Sequence, residues 1–320
     1  MITASAFRPA WWLPGPHLQT LYPSLFRRRL PPALERERVE LPDGDFLDLD
    51  WTAETGGMLV LVLHGLEGSL ESHYASGILA ALSQGGFTAV LMYFRNCSGT
   101  PNRLPRTYHS GETGDLAFVM QHIRQRYPGK PVAVIGYSLG GNVLLKWLGE
   151  QGEAAALATA VAISVPFDLN ACARKLEHGL SRIYQHHLVR KLRNAVRSKA
   201  TIHPPPIPLQ RLGELRTFRQ FDDAITAPLH GFRDVDDYYT RSSSKQYLKD
   251  IRAPTLVIHA ADDPFIPAAA LPGNSELSPT VTLEISPHGG HVGFVAGRNP
   301  VTPRYWLEPR IIAHLHSITG

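Results

Sequence analysis

The chemistry in this sequence centres on Gly136-Tyr137-Ser138-Leu139-Gly140, which directly follows the apolar run Val132–Ile135 and opens a helical stretch, Leu139–Glu150. A G-x-S-x-G segment between a strand and a helix is a nucleophile elbow. A sharp turn lifts the serine hydroxyl above a sheet, and small glycines let the backbone approach closely. The helix that follows aims its free N–H groups and positive end at the same spot. Gly141 extends the tight packing. A serine hydroxyl is a weak nucleophile until a neighbouring base takes its proton. The elbow therefore calls for an acid and then a histidine further along the chain.

Both are present in that order. After the run Thr255–His259 comes Ala260-Ala261-Asp262-Asp263-Pro264, and after Val281–Ile285 comes His288-Gly289-Gly290-His291. Each segment stands just past a strand end, on the sheet edge that carries the elbow. Asp263, three positions after the small Ala260 and just before Pro264, is read as the orienting acid. Asp262 is its alternative, otherwise suited to hold the loop through backbone amides. His291 follows a Gly-Gly pair that lets the chain turn inward and is read as the base, with His288 as the alternative. The two histidines also have the spacing of metal ligands, but no carboxylate or cysteine in their segment completes a set. Neither a metal nor an organic cofactor is expected. A developing oxyanion needs donors. The backbone N–H of Leu66, in His64-Gly65-Leu66-Glu67-Gly68-Ser69, and that of Leu139 are the candidates. His64 is read as a hydrogen-bonding support beneath that loop, and His186 and His187 as surface residues.

These loops need a scaffold. Met58–Leu63, Thr88–Phe94, Val132–Gly136, Ala158–Val165, Thr255–His259 and Val281–Ile285 read as strands. Continuous apolar runs of this kind suit a parallel sheet covered on both faces. Tyr74–Gln84, Glu112–Arg126, Leu139–Glu150 and Glu308–Ser317 read as helices between and after them. The alternation gives an α/β fold with a mostly parallel central sheet flanked by helices. Arg38–Leu41 and Phe46–Trp51 flank the turn Pro42–Asp45, predicting an antiparallel hairpin that opens the sheet. From Phe167 to Asp250 no strand pattern recurs. The expected organisation is a core of residues 1–166 and 251–320, with an N-terminal arm over 1–35, and a helical cap insertion over 167–250. Lys175–Ala200 within the cap reads as a basic helix carrying Arg182, Arg190, Lys191, Arg193, Arg197 and Lys199. A solvated face is the plain reading; contact with an anionic lipid surface or acidic substrate is the other. Pro204-Pro205-Pro206 reads as a stiff connector.

Composition excludes several classes. Of 320 residues, 43% are hydrophobic and 19% charged, which suits a globular protein with a large core. A net charge of +4 with no recognisable nucleic-acid module gives no reason to expect nucleic acid as a partner. Cys97 and Cys172 are read as reduced thiols in a cytoplasmic protein. Met1 to Pro14 has the pattern of neither a signal peptide nor a membrane anchor, and the apolar runs are too short to span a bilayer. A monomer is expected.

Further segments carry a resemblance. Pro16-His17-Leu18-Gln19-Thr20, His64–Ser69, Phe94-Arg95-Asn96-Cys97-Ser98-Gly99, Tyr108-His109-Ser110-Gly111 and Asp115 are part of it. So are Phe221-Asp222, Gly231-Phe232, Tyr238-Tyr239, Asp262-Asp263-Pro264-Phe265 and Gly289-Gly290-His291-Val292-Gly293-Phe294. With these the chain resembles the YheT-like branch of the α/β-hydrolases over nearly its whole length. The resemblance implies esterase or lipase activity on a small-molecule acyl ester, with lipid among the candidates. It implies Ser138, Asp263 and His291 as the triad; separately, no transmembrane segment is expected, and weak peripheral membrane contact stays open. Transfer of the acyl group to an alcohol uses the same machinery, and a binding module on an inactive scaffold is the reading from another class. Arg95–Gly99 and Tyr108–Gly111 are either loop scaffolding or pocket lining. Trp11 and Trp12 either pack the arm onto the body or line an acyl pocket.

Overall fold

The computed structural model describes residues 1–28 and 30–319. The six apolar runs, the hairpin and a short N-terminal strand form one nine-stranded sheet. Its strands are β1 (Ile2–Ala4), β2 (Glu35–Glu40), β3 (Phe46–Trp51), β4 (Leu59–Leu63), β5 (Thr88–Met92), β6 (Val132–Tyr137), β7 (Thr159–Ile163), β8 (Thr255–Ala260) and β9 (Val281–Ser286). They lie in the order β1-β9-β8-β7-β6-β4-β5-β3-β2. Strand β3 runs against β2 and β5; every other pairing is parallel. The hairpin stands where the Pro42–Asp45 turn places it, with Glu40 opposite Phe46.

The runs are apolar throughout because both faces of the sheet are covered. Successive side chains of a strand point to opposite faces. Leu59, Leu61 and Leu63 accordingly pack with Val119 of the helix Gly114–Arg126 and Leu144 of the helix Leu139–Gln151. Val60 and Val62 pack on the other face with Ile78 of one helix (Ala75–Gln84) and Ile311 of the C-terminal helix (Leu307–Thr319). Burying one such side chain contributes about 1.5–3 kcal/mol. This two-sided core fixes the sheet edge on which the loops sit.

Between β7 and β8 the described chain forms helices and turns, chiefly Leu169–Leu176, Ser181–Lys199 and Val235–Ser242. Two features depart from expectation. Lys175–Ala200 is not one helix: the chain breaks over residues 177–180, where Gly179 takes φ +55, and a new helix starts at Ser181. Ser181 Oγ donates to Pro264 O at 2.7 Å, tying that start to the loop of the expected acid. The N-terminal arm is also more than an arm. Ile2–Ala4 adds a parallel strand beside β9, and Pro16–Phe26 forms a helix.

Candidate active site

Ser138 sits between β6 and the helix Leu139–Gln151 with φ +50, a left-handed conformation that costs a non-glycine residue about 1–3 kcal/mol. Its N–H donates to Ile163 O of β7 at 2.8 Å, and its carbonyl accepts from Asn142 N–H at 3.0 Å. The glycines are required by distance. A Cβ on Gly136 would lie 2.5 Å from Gly140 O, and one on Gly140 would lie 2.6 Å from His64 O. The turn is therefore built from main-chain contacts that no larger residue fits.

Asp263 and His291 meet Ser138 from β8 and β9. His291 Nδ1 lies 2.8 Å from Asp263 Oδ2, and Nε2 lies 2.9 Å from Ser138 Oγ. A proton on Nδ1 directed at Asp263 leaves the Nε2 lone pair for the Ser138 hydroxyl. Asp263 Oδ1 also accepts the Phe265 N–H at 2.8 Å. The alternatives occupy another place. Asp262 accepts the Gly290 N–H at 3.0 Å and faces His288 Nδ1 at 3.2 Å, so it holds the histidine loop instead of the base. His288 is exposed.

The first donor loop follows β4, whose Leu63 pairs with Gly136 of β6. A Cβ on Gly65 would lie 3.4 Å from that of Ser138, so the loop runs directly over that serine. Its amides are accounted for almost completely. Gly65 N–H donates to Tyr74 Oη at 2.7 Å, Glu67 N–H to Tyr108 Oη at 2.6 Å and Gly68 N–H to Gly65 O at 3.0 Å. Among the described residues, the N–H groups of Leu66 and Leu139 have no such partner. His64 is fully buried beneath the loop: Nε2 accepts the Phe94 N–H at 3.1 Å, and Nδ1 stands 2.7 Å from Gly65 O. Burial lowers its pKa to about 4, so the ring stays neutral at physiological pH.

Ser138 and His291 open into a cavity of about 730 Å³, with Leu169, Leu192, Phe221 and Ile225 among its apolar lining. Both unassigned loops reach the cavity, the first through Arg95 and Asn96. Arg95 is buried as an ion-pair centre, 2.7 Å from Asp115, 2.9 Å from Asp43 and 3.1 Å from Asp45. Tyr108, His109 and Ser110 line the cavity. Both cysteines are free, and burial pushes each thiol up, away from the reactive thiolate. Trp12 packs edge-on against Tyr22 at 5.0 Å and Trp11 is exposed; neither lines the cavity.

Comparison with known proteins places this geometry. A family model described as "alpha/beta hydrolase fold" matches residues 59–297. The chain is 42% identical, over 97% of its own length and 92% of the other's, to an Escherichia coli (strain K12) protein named "Putative esterase YheT". The chain belongs to the YheT-like branch of the α/β-hydrolase family. It is an esterase- or lipase-type hydrolase. A mouse protein named "Phospholipase ABHD3" is 29% identical over 92% of this chain and 75% of its own. The solved Pyrococcus furiosus esterase Pf2001 shares the fold, with TM-score 0.58 and 16% identity, covering 89% of this chain and 91% of its own.

Several residues of this YheT-like site were not legible as functional. Thr20 Oγ1 accepts the His291 N–H at 2.9 Å while donating to Pro16 O at 2.7 Å. Gln19 Nε2 donates to Val295 O at 3.1 Å, and its Oε1 accepts the Val295 N–H at 2.8 Å. The Phe265 ring stacks on the His291 imidazole at 4.1 Å and 7°. Tyr108 Oη donates to Glu67 Oε1 at 2.9 Å, and burial raises the Glu67 carboxyl above its ordinary range. The only signal for these was their membership in the segments that carry the resemblance. Among the described residues, His109, Glu112 and His230 have the composition of a metal site. Glu112, however, is engaged by Arg106 and by the Gly114 N–H, and His109 Nδ1 accepts the Gly111 N–H at 3.1 Å. With Nδ1 as an acceptor, the neutral ring carries its proton on Nε2 and has no lone pair there for a metal.

Proposed function

We propose that the protein is a serine carboxylic ester hydrolase acting through an acyl-enzyme. One observation carries the proposal: Asp263, His291 and Ser138 form an unbroken hydrogen-bonded chain at the floor of a largely apolar cavity. Ser138 Oγ attacks the ester carbonyl as its proton passes to His291 Nε2. The oxyanion accepts hydrogen bonds from the Leu66 and Leu139 amides, and Asp263 stabilises the imidazolium. The carbonyl re-forms as the alcohol leaves with the His291 proton, giving acyl-Ser138. Water then attacks, losing its proton to His291, and the acid is released with the serine hydroxyl restored. Residues 167–250 act as the cap that shapes the acyl site, over a core of residues 1–166 and 251–320. Apolar lining such as Leu192, Phe221 and Ile225 favours an acyl chain over a charged group.

The test is hydrolysis of p-nitrophenyl esters from acetate to laurate by the parent and Ser138→Ala. Loss of about 10⁴-fold or more in kcat for the variant supports the assignment; equal rates would sink it. Adding a short alcohol reports the second reaction class, because an alkyl ester product in place of the acid indicates acyl transfer.

A further inference from the structure

The cavity mouth has a composition that catalysis does not call for. The helix Pro16–Phe26 presents Leu18, Leu21 and Leu25 at spacings of three and four, one stripe of an α-helix, and all three are exposed. Leu25 is 69% exposed and Phe26 beside it 66%. Facing this stripe is the helix Ser181–Lys199; Leu180 just before it and Ile183 in its first turn are exposed, the latter at 64%. Leu21, Leu25 and Ile183 also line the cavity, so the two helices form its rim. His17 Nδ1 lies 3.0 Å from Tyr184 Oη and the two rings stack, which locks the helices together. Scattered apolar surface residues are ordinary; a cluster rimmed with polar groups marks an interaction site.

The charge beside the stripe identifies the partner. Ser181–Lys199 contains no acidic residue. Its exposed cations Arg182, Arg190, Lys191 and Arg197 form no ion pair with a carboxylate among the described residues. Ile183, Arg190 and Arg197 recur every seven residues and share one helix face. A second copy of this chain would bring the same cations against themselves, which disfavours self-association through this face. Apolar side chains beside unpaired arginines and lysines match the interfacial layer of an anionic bilayer.

We infer that the rim formed by residues 16–26 and 180–199 docks the protein on an anionic lipid surface, with the cavity mouth turned to the membrane. The docked face is where an amphiphilic ester enters the site proposed above. The docking is independent of that chemistry and is measured in the Ser138→Ala protein.

The experiment is co-sedimentation of that protein with vesicles of phosphatidylcholine alone and of phosphatidylcholine mixed with phosphatidylglycerol. Binding to the mixed vesicles, released by high salt, is expected. Arg190→Gln combined with Arg197→Gln should weaken it about 25-fold, since each basic residue near an anionic surface contributes about a factor of five. Leu18→Ser should weaken it about tenfold by removing one inserted side chain. None of these three residues lines the cavity, and unchanged thermal melts of the variants establish that the fold is intact. The inference is overturned if the protein stays in solution with the mixed vesicles. It also fails if phosphatidylcholine alone binds equally well, or if both variants sediment like the parent. A concentration-dependent dimer that Leu18→Ser dissolves, with no vesicle binding, would assign the stripe to a second copy instead.

Discussion

The turn around Ser138 and the loop carrying His291 deliver two halves of one hydrogen bond, yet they are held in opposite ways. At Ser138 the chain is fixed by its own main chain: the N–H on Ile163 O, and glycines that let residues 136 and 140 touch. The His291 loop is fixed from outside, by Thr20 on its amide, Gln19 on Val295, Asp262 on Gly290 and Ser164 Oγ on the Val292 N–H. Gly290, at φ +62, has room for a Cβ in neither direction, since it would lie 2.5 Å from both Pro16 O and Thr20 Oγ1. A nucleophile can be placed by local backbone geometry. His291 depends in part on Thr20 and Gln19, side chains brought from the other end of the chain.

Substitutions sharpen that contrast. The largest effect is expected at the acid: Asp263→Asn should lower kcat about 10⁴-fold, as loss of the orienting carboxylate does in triad hydrolases. Asp262→Asn, which touches only the loop, should cost far less, and comparable losses at the two positions would break the assignment. Next come the glycines. Gly136→Ala forces the elbow open and Gly290→Ala displaces the loop, and either should cost about 10²-fold in kcat, the scale of a 1 Å misplacement. Reaction of Ser138 with a fluorophosphonate should fall in both, while their crystal structures would differ in which half of the site has moved.

Thr20→Val tests the arm alone. It leaves a buried His291 N–H without its acceptor, a loss of about 1–3 kcal/mol that a thermal melt reads. A kcat about tenfold lower with unchanged KM is expected if Thr20 positions the base; a lower melting point with kcat intact would make its role structural only. The last effect is expected on stability alone, in acid. His64 titrates near 4 in the folded protein because it is buried, against 6.5 when free. Below 6.5 the unfolded chain takes up a proton that the folded one refuses, so stability falls as pH drops from 6.5 to 4, by up to about 3 kcal/mol. His64→Gln should flatten that part of the stability–pH curve; an unchanged slope would contradict the neutral support beneath the donor loop.

The same contrast explains what the sequence made legible. The elbow, its strand and its helix are contiguous, so spacing alone located Ser138. Asp263 and His291 stand just past strand ends, which made them readable as candidates once the strands were. Thr20 and His291 are 271 positions apart, and no periodicity links them. The strand Ile2–Ala4 has three residues, too few to show an alternation. The strandless stretch between β7 and β8 was legible as an interruption of the strand pattern, but the break between its helices was not, because Gly179 resembles any surface glycine until its φ is known.

The central claim is that Ser138 is the nucleophile and His291 its base. Incubation with a fluorophosphonate, followed by mass spectrometry of the intact protein and its peptides, tests it most directly. The account predicts a single covalent adduct, carried by the peptide containing Ser138. That adduct should be absent in Ser138→Ala and form far more slowly in His291→Ala. An adduct on another residue, or labelling of Ser138 at the same rate without His291, would contradict it.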